Sequence, residues 1–507
     1  MNYKRIIALV LAVCCLCAVF TGCKDNTASN GDVKEVEFFY YNASEPYDEE
    51  DPVWKYAEGK TGLRLKSVVS DAISSESAAY STMLAAGELP EIIATKALNL
   101  RDLATDGGLI ALDDLIEEHA PNLKAFFEQY PEARKYAGNG DGKIYFIPTS
   151  ISGMEKAPSN VFFIRQDWLD KLELKTPTTI QEYHDVLLAF KTQDPNGNGK
   201  ADEIPYFARA KSVATLVELF GIQSTHTVDR DGNYAYGPAR EEYKTAMKEL
   251  AKWYKEGLID PEIFTRNSPR EQLFGQNLAG ATIDWIQSTT AFNDTLKDAV
   301  PGFNLVAMIP PKNVYGEAKT LSAQSEFNGN GWGISAHAKK EDLVDLIKYF
   351  DFWMSEEGCD LTSYGVEGDT YTKDKDGNIV WSEKALAHEN GVYDYLCSIG
   401  AITFIGTVRR PDVATLTMNE SGKAAQAMYM DVLPEYQLPS LNFTQEESDA
   451  IARTDVNIAT VVKEYAQKWL FGKADVDATW DEYMKKMNSM GLQDLIGAYT
   501  SAYERMR

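Results

Sequence analysis

Hydrophobic and polar positions along the chain repeat with two periods, one typical of strands and one typical of helices. Apolar and β-branched runs at 36–41, 63–69, 144–147 and 161–164 predict short strands. A helical pattern at 52–59 lies between the first two runs and ends at Gly59. Short strands that alternate with helices over this length predict an α/β fold with mostly covered sheets.

Three longer stripes predict amphipathic helices that bury one face in the core. The first follows Thr179 and Glu182, which have the spacing of a capping box. The stripes are Tyr183, Val186, Leu187 and Phe190; Tyr243, Met247, Leu250 and Tyr254; and Leu343, Leu346, Ile347, Phe350 and Met354.

Turn signals and length predict how the chain is divided. About 480 residues follow the leader, too many for one small core, and they predict two lobes. Segments 148–153 and 309–311, both containing proline, are the predicted crossings between the lobes. Asp-Gly pairs at 141–142, 231–232 and 376–377 predict hairpins or loops beside strands.

The N-terminus predicts export. Lys4 and Arg5 precede an apolar run at 6–20, which is short for a membrane span and has the form of a signal peptide. The residues Phe-Thr-Gly-Cys at 20–23 resemble a bacterial lipobox, in which cleavage leaves a lipid on Cys23. An ordinary secretory signal is the alternative. We expect residues 1–22 to be a lipoprotein signal peptide and residues 23–34 to be a polar, lipidated tether.

Charge and cysteine content narrow the function. The formal net charge is −26, and loss of Lys4 and Arg5 with the signal makes it more negative by two. Such a chain repels nucleic acid and anionic membrane surfaces, so we expect no nucleic-acid partner and membrane contact through the lipid alone. Cys359 and Cys397, the two cysteines of the predicted folded part, either pair or remain buried thiols.

Residues 194–203 have the pattern of a cation-binding loop. Oxygen-bearing side chains recur at alternate positions, and Gly199 is placed for a sharp turn. An EF-hand would have glutamate at position 12, where this chain has Pro205, so we expect a structural Ca²⁺ site rather than a sensor. A polar Asn-Gly turn is the alternative. The candidate ligands are Asp194, Asn196, Asn198, Lys200 through its backbone carbonyl, Asp202 and Glu203.

Motifs of the common catalytic sites are missing. The five histidines are scattered, with no His-Glu-x-x-His, and there is no Gly-x-Ser-x-Gly. The glycine-rich stretch at 138–143 lacks the spacing of a phosphate-binding loop. Carboxylates are abundant, so an acid/base pair for glycoside hydrolysis stays open as an alternative.

Five motifs occur in an order that points to a known family. They are AGELPEII at 86–93, GKIYFIP at 142–148, IRQDWLDKL at 164–172 followed by PTTIQE at 177–182, GWGIS at 331–335 and YGVEG at 364–368. With the lipobox and the 194–203 loop, they resemble the lipid-anchored solute-binding proteins of bacterial carbohydrate ABC transporters, extracellular family 1. The chain is most similar to the large calcium-containing subgroup of alginate-oligosaccharide binders and LplA-type lipoproteins.

This resemblance implies a periplasmic-binding-protein type II fold, in which two discontinuous α/β lobes close on a ligand in a central cleft. We expect lobe 1 at 35–150 and 310–360, and lobe 2, with the calcium loop, at 151–309 and 361–507. The implied function is a monomeric lipoprotein on a Gram-positive-type cell surface. It would capture an oligosaccharide and deliver it to ABC permease subunits without catalysis. A secreted carbohydrate-active enzyme and an adhesion or sensing lipoprotein are the alternatives.

A sugar site combines aromatic faces with a few converging polar groups. Trp285 is the first candidate, because polar residues flank it where the resembled family commonly faces the cleft. Tyr41 and Asn42 end the first predicted strand, and clefts form outside the carboxyl ends of strands. Arg409 is a candidate partner for an acidic sugar, or half of a solvated arginine pair. The full candidate set is Trp285, Trp332, Tyr364, Glu367, Tyr41, Asn42 and Arg409.

Overall fold

The structure is a computed structural model that describes residues 33–42, 46–70, 72–139, 141–209, 212–266 and 270–507, without the side chains of 287 and 288. The predicted signal peptide and Cys23 lie outside the described residues. Within the described ranges, no helix has both the length and the apolar character that a membrane crossing requires.

Thirteen strands are present in the described part of the chain. They are β1 Lys34–Phe39, β2 Leu63–Ser67, β3 Ile92–Lys96, β4 Ile147–Pro148, β5 Asn160–Arg165, β6 Ile204–Tyr206, β7 His226–Val228, β8 Tyr234–Tyr236, β9 Ala279–Trp285, β10 Leu305–Met308, β11 Asn330–Ile334, β12 Tyr371–Lys373 and β13 Ile379–Trp381.

The α-helices of the same residues surround these strands. They are α1 Pro52–Thr61, α2 Glu76–Ala86, α3 Ala97–Thr105, α4 Asp113–His119, α5 Pro121–Gln129, α6 Pro131–Ala137, α7 Gln166–Lys171, α8 Ile180–Thr192, α9 Ala214–Val217, α10 Glu241–Lys255, α11 Arg270–Gly275, α12 Ile286–Thr290, α13 Phe292–Thr295, α14 Leu343–Trp353, α15 Glu356–Tyr364, α16 Glu383–Leu386, α17 Gly391–Ser398, α18 Val413–Thr417, α19 Glu420–Met430, α20 Gln445–Leu470, α21 Val476–Ser489 and α22 Leu492–Met506.

Two separate sheets confirm the predicted α/β class. The sheet of lobe 1 has the order β2-β1-β3-β11-β4, with β1 parallel to β2 and β3, and β11 antiparallel to β3 and β4. The sheet of lobe 2 has the order β10-β5-β9-β6, with β6 parallel to β9 and β5 antiparallel to both of its neighbours. Two Asp-Gly turns, at 231–232 and 376–377, lie in the hairpins β7-β8 and β12-β13.

Each sheet has its own hydrophobic core. In lobe 2 the side chains of β5 alternate between two clusters, one on each face of the sheet, because successive strand residues point to opposite sides. The predicted helix after Thr179 is α8, and the Thr179 hydroxyl accepts a hydrogen bond from the backbone N–H of Glu182 at 3.2 Å. Its stripe is buried, as are Met247 of α10 and Phe350 of α14.

Three chain segments cross between the lobes. Crossing 1 leaves β4 at Pro148 and reaches β5 at Asn160, crossing 2 runs over 324–330, and crossing 3 runs over 405–418. Backbone hydrogen bonds join them: Ser150 N–H donates to Thr407 at 2.9 Å, and Gln324 N–H donates to Ala157 at 2.7 Å. The crossings therefore form one hydrogen-bonded hinge.

Two predicted boundaries differ from the packing. The segment after β10 stays on lobe 2, where Lys312 N–H donates to the carbonyl of Thr178 at 2.9 Å, so the prolines at 310–311 end an edge strand rather than begin a crossing. Residues 361–413, assigned to lobe 2 from the sequence, contribute Tyr371, Leu396 and Ile405 to the core of lobe 1. Sequence order alone did not show that the chain stays in lobe 1 after α15.

Candidate functional site

The geometry of the two sheets places one edge of each opposite the other. In lobe 1, the carboxyl ends of β1 and β3 lie beside the start of β11, and Asn330 pairs with Lys96. In lobe 2, the carboxyl end of β9 lies beside the start of β5, where Trp285 pairs with Asn160. Because crossings 1 and 2 join these same edges, the edges face each other across a cleft. This is where ligands bind in open α/β sheets.

A cavity of about 240 Å³ lies at the lobe 1 edge. Three of its lining residues, at 40–42, follow the end of β1, and Phe404, next to crossing 3, supplies a further aromatic ring. The cavity therefore combines aromatic faces with amide, hydroxyl and charged groups, as a sugar requires. The lining residues are Tyr40, Tyr41, Asn42, Glu76, Ala94, Thr95, Lys96, Asn330 and Phe404.

The charged groups of this cavity balance each other. Lys96 Nζ lies 2.8 Å from Glu76 Oε2, and the Thr95 hydroxyl donates to Glu76 Oε1 at 3.2 Å. Asn99 in turn donates to the Thr95 hydroxyl at 3.0 Å. This network fixes the directions of donors and acceptors before a ligand arrives, which lowers the entropic cost of binding.

The lobe 2 edge presents an exposed aromatic ring beside a buried ion pair. The Trp285 side chain is 47 % exposed, whereas the preceding Asp284 is buried. Arg270 Nη1 donates to Asp284 Oδ2 at 2.5 Å, and the backbone N–H of Trp285 donates to Asp284 Oδ1 at 2.8 Å. Asp284 thus holds the end of β9 in place, and the indole of Trp285 stays exposed beside it.

Tyr41, Asn42 and Arg409 lie at or next to the cleft. Tyr41 and Asn42 line the lobe 1 cavity. Arg409 is buried in crossing 3, and its guanidinium lies 5.0 Å from the ring of Phe404 and donates to the carbonyl of Thr403 at 3.2 Å. It is therefore not half of a solvated arginine pair.

Two aromatic candidates are core residues, and the structure contradicts their assignment to the ligand site. Trp332 is fully buried and stacks on Phe350 at 4.4 Å. The glycines beside it allow neighbouring strands to approach closely, because a Cβ at Gly331 would lie 2.6 Å from the carbonyl oxygen of Ile147. Tyr364 is buried as well, and its hydroxyl donates to the carboxylate of Asp412.

Glu367, another member of the candidate set, is exposed next to β12. It pairs with Tyr371 and is not among the residues that line the cavity. The sequence reasoning also missed Glu76, Lys96, Asn330 and Phe404. Lys96 and Asn330 end or begin strands that meet at one sheet edge, so strand prediction at 92–96 would have indicated them. The position of Phe404 depends on the path of crossing 3, which no local sequence pattern predicts.

The 194–203 loop folds its polar side chains inward. The carboxylate of Asp194 accepts hydrogen bonds from the backbone N–H groups of Asn198 at 3.1 Å and Gly199 at 3.0 Å. The side-chain amides of Asn196 and Asn198 both donate to Asp202 Oδ1, at 3.1 and 3.0 Å. Four oxygen-bearing side chains thus converge on one small volume, and a rotation of either amide would turn its oxygen inward.

Glu203 completes the loop with an uncompensated charge. Its side chain is buried, and neither carboxylate oxygen has a hydrogen-bond partner in the structure. Burial, with repulsion from Asp194 and Asp202, raises its pKa. No three Asp, Glu, His or Cys side chains of the described residues form a ready metal cluster. The oxygen-rich set nevertheless fits Ca²⁺, since that ion accepts amide and carbonyl ligands as well and would neutralise the orphaned carboxylate.

The two cysteines of the described chain do not form a disulfide. Cys359 and Cys397 are each partly exposed. Burial raises the pKa of the Cys359 thiol to about 11. Of the two alternatives left open by the sequence, the disulfide is therefore not the one found.

Two α/β lobes on a triple crossing, with a cleft of aromatic and polar groups between them, define a two-lobe binding protein of the type II periplasmic class. A family model described as bacterial extracellular solute-binding protein matches residues 53–361, which is more than half of the chain. The chain belongs to this family.

Known proteins similar to this chain over its length support that membership. It is 25% identical to the fructooligosaccharide ABC transporter substrate-binding protein FusA of Streptococcus pneumoniae serotype 4, over 100% of this chain and 99% of that one. It is 22% identical to the polygalacturonan/rhamnogalacturonan-binding protein YtcQ of Bacillus subtilis strain 168, over 100% of both chains. The solved structure of alginate-binding protein AlgQ2 without calcium ion has a TM-score of 0.81 at 33% identity, and the match covers 95% of this chain and 100% of that one.

Proposed function

We propose that this protein captures an oligosaccharide outside the cell and delivers it to the permease subunits of an ABC importer. The observation that carries the proposal is the pair of facing sheet edges, with exposed Trp285 on one and the cavity at Tyr41, Asn42 and Lys96 on the other. The ligand would contact both lobes and stabilise the closed form, which the permease would recognise. Relatives described as binding fructooligosaccharide, polygalacturonan and alginate support the ligand class.

The predicted lipobox supports a membrane anchor at Cys23, with the protein acting as a monomer at the cell surface. The described part begins β1 at Lys34, so only a short tether separates the anchor from lobe 1. A Cys23→Ser variant should then be found in the medium rather than in the membrane fraction.

Binding without catalysis is the expected result when the protein starting at Lys24 meets a panel of plant and bacterial oligosaccharides. Calorimetry should give saturable binding to one glycan class, and chromatography should recover that glycan intact. The recovered mass distinguishes a receptor from an enzyme on the same sugars. Product formation would overturn the proposal in favour of a hydrolase or lyase, and absence of binding across the panel would favour the adhesion or sensing alternative.

We further propose that the 194–203 loop holds a structural Ca²⁺ in lobe 2. Asp194, Asn196, Asn198, Asp202 and Glu203 would supply side-chain oxygens, and Lys200 would supply its backbone carbonyl. When bound, the ion would neutralise the carboxylates and fix the loop between α8 and β6. Glu203 carries this proposal, because a buried carboxylate without a hydrogen-bond partner is costly unless a cation is present.

Chelation should lower the free energy of unfolding by about 3 kcal/mol if the ion is present at about 100 times its Kd, since a ligand bound only to the folded state stabilises it by mass action. Thermal unfolding with Ca²⁺ and with chelator measures the difference. Asp194→Ala should abolish the response to chelator. Glu203→Gln is the sharper variant: without metal it should be neutral or stabilising, because it removes a buried charge of raised pKa. The hypothesis fails if neither variant alters the effect of chelator.

A further inference from the structure

Two guanidinium groups approach a single carboxylate at the lobe 2 edge of the cleft. Asp284, with 1 % side-chain exposure, is held by Arg270 at 2.5 Å, and Arg270 is itself 11 % exposed. Arg209 Nη1 lies 3.5 Å from the other oxygen of Asp284, and its side chain is 53 % exposed. Arg270 therefore neutralises Asp284, whereas Arg209 makes a longer contact and keeps most of its donors unused among the described residues.

Arg209 and the backbone of Trp285 contact the same oxygen atom of Asp284. Asp284 Oδ1 accepts the backbone N–H of Trp285 at 2.8 Å and lies 3.5 Å from Arg209 Nη1. The exposed indole follows Asp284 in the chain and the exposed guanidinium contacts Asp284, so both groups lie at the same end of the sheet. Arg209 follows the carboxyl end of β6 and Trp285 ends β9, and because these strands are parallel their ends point to the same side. A ligand bound at this end of the sheet would be offered both an aromatic ring and a cation.

Other charges near the cleft do not cancel this one. In lobe 1, Lys96 and Glu76 form their own pair at 2.8 Å. Arg409, buried beside Phe404, forms no ion pair with any carboxylate of the described residues, and its Nε has no hydrogen-bond partner there. Glu271 is exposed, and its Oε1 lies 3.2 Å from Arg270 Nε. Two arginines therefore remain without a strong acidic partner around the cleft of a chain with a net charge of −26.

We propose that the cleft selects an acidic oligosaccharide, and that Arg209 binds a carboxylate of the sugar unit that stacks on Trp285. This inference rests on the proposed function, since it assigns the chemical class of the same ligand. A planar guanidinium matches a carboxylate in two parallel hydrogen bonds, and charge-assisted bonds are about twice as strong as neutral ones. Arg409 would add a favourable potential without touching the ligand.

Matched glycans provide the test. Oligogalacturonides, alginate oligomers and glucuronoxylan fragments are compared by calorimetry with the same preparations after reduction of their carboxyl groups to primary alcohols, together with neutral fructans and β-glucans. At least one uronate should bind about tenfold or more tightly than its reduced partner. Raising the salt concentration should weaken that binding and leave any binding of neutral glycans unchanged.

Three variants locate the effect at Arg209. Arg209→Gln should remove the preference for the uronate over its reduced partner, and Arg209→Lys should retain part of it, because lysine keeps the charge but loses the planar fork. Arg453→Gln is the matched control, since Arg453 is an exposed arginine on α20 and the same net charge is lost. This control should bind like the parent protein.

The outcomes separate this inference from the proposed function. Tight binding of a neutral glycan with no uronate preference would overturn the role of Arg209 and leave the receptor function intact. A uronate preference that Arg209→Gln does not reduce would also overturn it. If no glycan of either kind binds, the proposed function itself is wrong.

Discussion

Replacing Trp285 with alanine is expected to weaken oligosaccharide binding by about 2 kcal/mol, or about 30-fold in Kd, without a loss of stability. The indole is 47 % exposed at the end of β9, so its removal leaves no cavity in the core. Its apolar face is available to the C–H patches of a sugar, and aromatic anchors of this kind dominate many binding sites. Calorimetry gives the change in Kd, and a thermal melt reports stability.

Trp285→Phe is the matched variant for this prediction. Phenylalanine keeps a flat apolar face at the same strand position and loses part of the contact area, so its Kd should fall between those of the parent protein and Trp285→Ala. If Trp285→Ala binds glycans as the parent does, the cleft ligand does not use the lobe 2 edge, and Trp285 is merely an exposed side chain.

The helices and the short strands could be predicted because their causes are local. The cap at Thr179 and the stripe behind it lie within a dozen residues, and α8 forms where they indicate. Tyr41 and Asn42 were found by a rule about strand ends, which needs the first strand but not the remainder of the fold. These predictions use short sequence separations: α8 forms as predicted, and Tyr41 and Asn42 line the lobe 1 cavity.

The lobe boundaries could not be predicted, because they depend on distant packing. Residues 361–413 contribute Leu396 and Ile405 to a core built largely from residues before 150, and no local signal distinguishes this from a return to lobe 2. The candidate site was only partly predicted for the same reason. Phe404 reaches the cavity through the course of crossing 3, and Arg209 lies beside Asp284 through the register of β6 against β9.

The two tryptophans Trp285 and Trp332 show that similar local sequence can hide a large difference in burial. Trp285 ends β9 and Trp332 lies within β11, and both have polar or small neighbours in the sequence. One is half exposed and the other has no exposed surface. Gly331 and Gly333 look like the flanks of an open loop, but they allow the backbone near Ile147 and Tyr145 to approach a central strand. The distinction requires knowing the neighbouring strands, which a single sequence does not reveal.

Trp332→Ala is therefore expected to lower the free energy of unfolding by about 3–5 kcal/mol, the usual cost of removing a large buried aromatic side chain. The ring stacks on Phe350 with an interplanar angle of 11°, and a Cβ at Gly406 would lie 2.2 Å from Trp332 Cδ1. Its loss would open a cavity beneath crossing 3. Urea denaturation of the parent and the variant measures the change.

Trp332→Phe provides the second variant, for the case in which the alanine variant does not fold. It should cost much less than Trp332→Ala, because the Trp332 Nε1 group has no hydrogen-bond partner in the structure and phenylalanine keeps the stack on Phe350. Folded Trp332→Phe should bind the glycan with a far smaller change in Kd than Trp285→Ala, since Trp332 does not reach the cleft. A large loss of affinity in Trp332→Phe at unchanged stability would instead return this residue to the ligand site.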